Sequence, residues 1–134
     1  MLGTLTLVYL AIAVSTAWMD SVTGDEVAHL PAGYTYLATG DFRLNMQHPP
    51  LIKMLAGAPL LLLKLEPVEG SPGWAGANEW VFGRDFLRNN TAPLRWIVFL
   101  GRLPMILVGL LLGAMMFAWS RALWGERAAL LVFL

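Results

Sequence analysis

The 134-residue chain contains no cysteine and has few charged residues. Without cysteine it can form no disulfide, no thiolate metal site and no cysteine nucleophile. Charged residues make up 13% of the sequence, whereas a soluble domain carries about a quarter. Nine basic residues balance nine acidic ones, so the cationic excess that nucleic-acid binding requires is missing. These absences argue against a soluble domain and against a nucleic-acid partner.

Several short catalytic and binding motifs are also missing. The sequence contains neither a GxxxxGKS/T nor a GxGxxG phosphate-binding loop, which leaves a soluble nucleotide site unsupported. It has no GxSxG elbow for a serine nucleophile. It also has no HExxH pair, the usual zinc-binding pattern of a helix. None of these common motifs therefore assigns a function to the chain.

Long apolar runs are what the chain has instead. Residues 1–19 contain no charge, and residues 96–120 contain only Arg102. At about 1.5 Å per residue, both runs approach the roughly 30 Å of a bilayer core. We therefore expect an all-α integral membrane protein, although a cleaved signal peptide is the alternative for the first run. A third apolar run covers residues 128–134, and because a span cannot stop after two turns, we expect the N-terminal fragment of a longer protein.

The charges between the apolar runs predict the orientation of the chain. Arg121 and Arg127 lie on the short connection 121–127, and basic residues on short turns mark the cytoplasmic side. Residues 20–95 then form a first extracytoplasmic loop. We expect a multi-pass protein, in the plasma (inner) membrane if the source is bacterial, with any site on the extracytoplasmic face.

An apolar stretch at about residues 51–65 lies within this loop and is too short to span. Lysines bracket it at Lys53 and Lys64. This pattern predicts an interfacial helix whose lysines reach out of the apolar layer. A helix packed in the core of the loop fits the same pattern equally well.

Acidic residues and both histidines of the chain cluster near the start of the loop. If the segment from Asp25 is helical, Asp25 and His29 share one face, while Glu26 points about 100° away. Adjacent acids are also common at a helix N-terminus, where their negative charge interacts favourably with the helix dipole. Asp25, His29 and His48 could alternatively bind zinc, although their spacing matches no closed ligand set. Arg102 costs free energy inside a span unless it snorkels to the headgroups or binds an anion such as a lipid phosphate.

The run DEVAHLPAGYTYLATGDFRLN from Asp25, followed by HPPLIK from His48, resembles a known family. It is similar to the first extracytoplasmic loop of polyprenyl-phosphate-dependent glycosyltransferases of the protein O-mannosyltransferase type, family 39. The order of a span, an acidic pair, a TGDF turn, an HPPLxK motif, an amphipathic helix and an arginine-containing span is similar as well. The resemblance covers most of residues 20–65 and, more loosely, residues 95–134.

The resemblance implies a GT-C fold, a multi-span helical bundle with a helical first loop. It further implies inverting transfer of a sugar, for example a hexose such as mannose, from a polyprenyl-phosphate carrier to an acceptor hydroxyl on a protein or glycan. Asp25 would be the catalytic base, and Glu26 would orient the acceptor or support Asp25. Three further residues would hold the lipid phosphate of the donor: His48, Lys53 and Arg102. The partners implied are the membrane lipid, the lipid-linked donor and the acceptor.

Other residues of the loop have less definite roles. Three of them are candidates for acceptor binding or loop support: His29, Asp41 and Arg43. The residue before the HPP motif, often acidic in the family, is Gln47 here, which argues against an acid role at that position. The resemblance requires no cofactor, and a divalent metal remains open. Family members contribute site residues from later loops, so we expect this fragment to be inactive alone. A non-catalytic membrane protein, remnant or assembly subunit, and a metal-binding segment are the alternative functions.

Overall fold

All regular secondary structure in the described part of the chain is helical, as the sequence predicts. The computed structural model describes residues 2–66 and 70–132. A 3₁₀ helix, Ala58–Leu63, lies among seven α-helices: α1 (Leu2–Met19), α2 (Gly24–Thr39), α3 (Pro50–Gly57), α4 (Pro72–Ala75), α5 (Glu79–Asn89), α6 (Leu94–Trp124) and α7 (Glu126–Val132). Residues 1 and 133–134, at the ends of the first and third predicted apolar segments, and residues 67–69 of the predicted loop lie outside the described residues.

Two of these helices, α1 and α6, are long and apolar enough to cross a membrane. None of the residues of α1 is buried, and the exposed face includes Leu7, Val8 and Ile12. The two helices touch through the hydroxyl of Tyr9, which donates to the backbone carbonyl of Ile106 at 3.1 Å. A helix that is apolar all round and little buried in the protein is stable in lipid, so both helices are suited to a membrane.

The helix at the second predicted span is longer than residues 96–120, and the turn that follows it is shorter than predicted. Helix α6 continues to Trp124, and α7 begins at Glu126. Arg121 and its neighbours are good helix formers, so their charge alone does not end the helix. The break occurs at Gly125, whose φ of 85° is readily adopted only by glycine. The turn predicted over residues 121–127 is thus reduced to this one residue.

The region between the two long helices folds around α2. Seven consecutive residues of this helix, 30–36, are buried. Helix α3 approaches α2 so closely that a Cβ added to Gly33 would lie 1.8 Å from the carbonyl oxygen of Lys53. A Cβ on Gly57 would similarly meet the Gly33 carbonyl carbon at 2.5 Å. The contact between the two helices therefore requires glycine on both sides.

Helix α5 packs on α2 at the site of a proline. Pro31 lies inside α2, and because proline has no amide hydrogen, the carbonyl of Val27 loses its helical partner. Gly83 of α5 lies directly against this carbonyl, since an added Cβ would be 1.8 Å from the Val27 oxygen. The rest of the interface is aromatic, with Phe82 and Phe86 fully buried.

The predicted helix over residues 51–65 is present as α3 and the 3₁₀ helix, which together cover residues 50–63. It has one exposed apolar face, with Leu51 and Leu62 65% and 82% exposed. Its other face is buried and includes Leu60. Lys64 is exposed as predicted, but Lys53 is only 4% exposed. The expectation that both lysines reach outward is therefore wrong for Lys53, whose ammonium finds protein acceptors instead.

Candidate functional site

A cavity of about 400 Å³ opens where α2, α3 and α6 meet. Six of the eight residues that the sequence singles out line it: Asp25, Glu26, His29, His48, Lys53 and Arg102. The rest of the lining is apolar: Leu30, Pro49, Ile52, Ala56, Gly101 and Met105. The fold thus brings together polar groups from the start of α2, the segment before α3, α3 itself and the first third of α6.

Asp25 is exposed in the first turn of α2 and faces this cavity. It lies one helical turn before His29, as the i, i+4 spacing predicts. Among the described residues, no side chain or amide donates a hydrogen bond to its carboxylate. A carboxylate without such a partner can accept a proton or a hydroxyl hydrogen from a molecule in the cavity.

Arg102 and Glu26 form an ion pair in the wall of the cavity. The Nε of Arg102 donates to Oε1 of Glu26 at 2.6 Å, and its Nη2 donates to Oε2 at 2.7 Å. The remaining hydrogens go to three backbone carbonyls at 2.9–3.0 Å: those of Ala17, Asp20 and Ser21. All five N–H groups of the guanidinium are thereby used. Arg102 neither snorkels nor has a free donor for a lipid phosphate in this arrangement.

Glu26 also defines the start of α2. Thr23 is the N-cap residue, and its amide donates to Oε2 of Glu26 at 2.8 Å. Burial opposes ionisation of this carboxyl, but the hydrogen bonds from Arg102 and Thr23 outweigh it and lower the pKa of Glu26. The structure therefore places Glu26 in a capping and ion-pairing role, and it fixes the helix turn that carries Asp25.

Lys53 is the second predicted phosphate ligand whose donors are already used. Its Nζ lies 2.6 Å from the backbone oxygen of Asn45, 3.1 Å from Asn45 Oδ1 and 2.9 Å from the backbone oxygen of His48. The hydroxyl of Tyr36 is a fourth partner at 3.0 Å. Burial lowers the pKa of Lys53. Three ammonium hydrogens thus serve four protein acceptors.

The two histidines of the chain meet at the cavity. The rings of His29 and His48 pack edge to face, with their centroids 5.1 Å apart. Nδ1 of His29 is buried and finds no hydrogen-bond partner among the described residues, whereas His48 is exposed. Burial, followed by the charges of His48 and Lys53, lowers the pKa of His29, and Asp25 and Asn45 oppose this only in part. The surroundings of His29 therefore favour its neutral form.

Asp41 and Arg43 lie outside the cavity lining. They pair with each other at 2.7 Å on the surface, and the hydrogen bonds from Arg43 lower the pKa of Asp41. The guanidinium of Arg43 also lies 4.8 Å from the ring centre of Trp74. This position fits loop support better than contact with a molecule in the cavity.

The sequence patterns did not single out Tyr36 and Asn45, whose side chains both accept hydrogen bonds from Lys53. Tyr36 is buried in α2, and Asn45 is buried in the segment between α2 and α3. Asn45 has a left-handed φ of 52°, a conformation that asparagine tolerates better than most residues. An asparagine shortly before a proline pair was the available signal, because such sequences favour turns.

Within residues 2–66 and 70–132, no group of three or more histidine or acidic side chains is placed to hold a metal ion.

Comparison of the chain with known proteins identifies no relative. No family model, curated protein or solved structure matches the chain. The cavity and its side chains are therefore the structural basis for a functional proposal.

Proposed function

We propose that the chain supplies the catalytic base of a membrane glycosyltransferase that uses a polyprenyl-phosphate sugar, for example a hexose such as mannose. The observation that carries the proposal is the carboxylate of Asp25, which faces a largely apolar cavity without a hydrogen-bond partner among the described residues. The loop motifs that resemble family 39 support the same reaction. The chain would be part of a GT-C-type multi-span bundle, with the cavity on the extracytoplasmic face.

Asp25 is the general base of the proposed reaction. The acceptor hydroxyl gives its proton to the Asp25 carboxylate as its oxygen attacks the anomeric carbon. The bond between this carbon and the phosphate oxygen breaks, and its electron pair leaves with the polyprenyl phosphate. Attack and departure occur on opposite faces of the sugar, so the anomeric configuration is inverted.

His48 is the group in the cavity lining best placed to stabilise the leaving phosphate. Arg102 and Lys53 have committed their donors to protein oxygens, whereas His48 is exposed at the cavity. An imidazole N–H directed at the phosphate oxygen on which charge develops lowers the barrier to its departure. The phosphate role that the resemblance gives to three residues is thus proposed for His48 alone.

The position of the cavity supports a lipid-linked donor. Met105 and Gly101 of α6 form part of its wall, and α6 is one of the two helices able to cross a membrane. The apolar residues Ile52 and Ala56 of α3 form another part. A phosphate attached to an isoprenoid chain would meet the polar groups while its chain contacts the apolar wall.

An Asp25→Asn substitution in the full-length gene product tests the proposal. Membranes are assayed for transfer from a polyprenyl-phosphate hexose to a hydroxyl acceptor. We expect transfer to fall by about 10²–10⁴-fold, as on loss of a general base. Asp85→Asn on α5, outside the cavity lining, is the matched control and retains transfer. Full activity of the Asp25→Asn protein would remove Asp25 from the mechanism, and wild-type protein inactive with every polyprenyl-phosphate hexose would favour a non-catalytic membrane protein.

A further inference from the structure

Lys53 has a position that the proposed mechanism does not use. Its side chain is buried against α2, and its ammonium reaches back over the segment that precedes α3. Three of its four acceptor atoms belong to this segment: two on Asn45 and one on His48. The ammonium therefore bridges the two ends of a four-residue turn, residues 45–48.

The other hydrogen bonds of this turn are exposed or long. Nε2 of Gln47 donates to Oε1 of Glu79 at 2.7 Å on the surface, and the hydroxyl of Tyr36 lies 3.5 Å from the carbonyl oxygen of Asn45. The amide of His48 donates to the carbonyl of Asn45 at 3.5 Å, which is the long limit of a hydrogen bond. The hydroxyl of Tyr36 donates to the carbonyl of Leu44 just before the turn. Asn45 adopts the left-handed conformation. Its backbone oxygen and its Oδ1 both accept hydrogen bonds from Lys53, and these bonds stabilise that conformation. The ammonium of Lys53, with three contacts of 2.6–3.1 Å to the turn, is thus its main buried support.

We propose that Lys53 is a positioning residue that holds the turn 45–48 so that the imidazole of His48 lies against His29 and faces the cavity. Lys53 then acts on the leaving phosphate through His48 and does not bind it. The kinetic part of this inference rests on the proposed function, whereas its structural part does not.

The number of oxygens already bound by the Lys53 ammonium favours this role over direct phosphate binding. An ammonium has three donors, and Lys53 already has four oxygen partners within 3.1 Å. Turning toward a phosphate would take the short hydrogen bonds of Lys53 away from the two buried oxygens of Asn45, which costs free energy. It would also release the backbone of His48, the residue that faces the cavity.

Nuclear magnetic resonance of the histidine rings tests the structural part. His29 and His48 are the only histidines of the chain, so histidine-labelled full-length protein in detergent micelles gives two imidazole signals from this segment. We expect an Overhauser effect between the two rings in the wild-type protein and in Lys64→Met, the matched exposed lysine. Lys53→Met should lose it while remaining folded. An undiminished ring contact in folded Lys53→Met would overturn the inference.

A titration of the wild-type protein covers the case in which Lys53→Met fails to fold. A short polyprenyl phosphate is added to lysine- and histidine-labelled protein. We expect the His48 imidazole resonances to shift, while the Nζ resonance of Lys53 keeps its position. A shift of the Lys53 Nζ with unmoved His48 signals would show direct phosphate binding and overturn the inference.

Transfer kinetics separate this inference from the proposed function. The losses of transfer activity in Lys53→Met, in His48→Gln and in the double variant are compared. If Lys53 acts through His48, the double variant loses no more than His48→Gln alone. Losses that multiply would show independent roles and overturn the inference. Absence of transfer in the wild-type protein would instead count against the proposed function, while the ring contact still decides the role of Lys53.

Discussion

Arg102 and Glu26 are 76 residues apart in the chain, yet their side chains form a two-pronged ion pair at 2.6 and 2.7 Å. The same guanidinium binds backbone oxygens from Ala17 to Ser21. One side chain of α6 therefore joins the end of α1 to the first turn of α2. Only the planar fork of arginine can make all these contacts at once. The position of Asp25 relative to the long helices depends on this junction.

Replacing Arg102 by lysine should destabilise the protein. A lysine cannot make the two-pronged contact or reach all three carbonyls. The partly buried carboxylate of Glu26 would therefore lose most of the hydrogen bonding that compensates for its burial. We expect the free energy of unfolding in detergent to fall by about 2–4 kcal/mol, measured by thermal or chemical unfolding. Arg95→Lys, which changes a contact with the ring of Trp18, is the control and should cost under about 1 kcal/mol. Equal costs for both variants would contradict this role.

Gly83→Ala should separate α5 from α2. The added methyl carbon would lie 1.8 Å from the carbonyl oxygen of Val27, and backbone atoms must move to accommodate it. We expect a loss of about 1–3 kcal/mol in unfolding free energy, as for overpacked cores. In Gly24→Ala the new methyl meets no atom within 4 Å, so this variant should be as stable as the wild type or slightly more stable. Wild-type stability of Gly83→Ala would show that the helices are not in such close contact.

His29 should make the protein less stable in mild acid. Its pKa is lowered in the folded state from the ordinary value of 6.5. As the pH falls below 6.5, the unfolded chain therefore takes up a proton more readily than the folded protein, and folding is disfavoured. We expect unfolding free energy to fall between about pH 7 and about pH 5, and to fall less in His29→Gln. Identical pH profiles for both proteins would contradict the lowered pKa.

Gln47→Glu should introduce a pH-dependent electrostatic repulsion between the segment before α3 and the start of α5. Nε2 of Gln47 donates to Oε1 of Glu79 at 2.7 Å. A glutamate at this position would place two carboxylates in contact, which raises the pKa of one of them. We expect a loss of about 1 kcal/mol at neutral pH that disappears as the pair takes up a proton in acid. Gln47→Met removes only the hydrogen bond, so its cost should not change with pH. A Gln47→Glu protein that behaves like Gln47→Met would argue against the contact.

The sequence predicted those features that depend on local patterns. The uncharged run before Asp20 and the apolar run around Arg102 predicted two helices able to span a membrane, because length and hydropathy suffice for that. The grouping of Asp25, His29 and His48 followed from their proximity in the chain and from helical spacing. The structure brings them to one cavity.

Features that depend on distant partners could not be predicted in this way. The cost of Arg102 in an apolar helix was evident, but its partner Glu26 is on another element. Lys53 and Lys64 are alike in sequence, but Lys53 is buried and donates to oxygens of Tyr36, Asn45 and His48. A signal did exist, because Lys53 shares its helix face with Gly57, one turn later, and a glycine there indicates close packing.

Arg102 holds the end of α1 through its main chain, beside the ring of Trp18, which packs against Trp96 and Phe99 of α6. Arg102 binds the carbonyls of Ala17, Asp20 and Ser21 and touches none of their side chains through these bonds. Every amino acid has this carbonyl, so the junction can persist while the residues at these three positions drift during evolution. Arg102 and Glu26 have no such freedom. Among distant relatives, positions 17, 20 and 21 should therefore vary in sequence more than Arg102 and Glu26 do, while the backbone path stays the same.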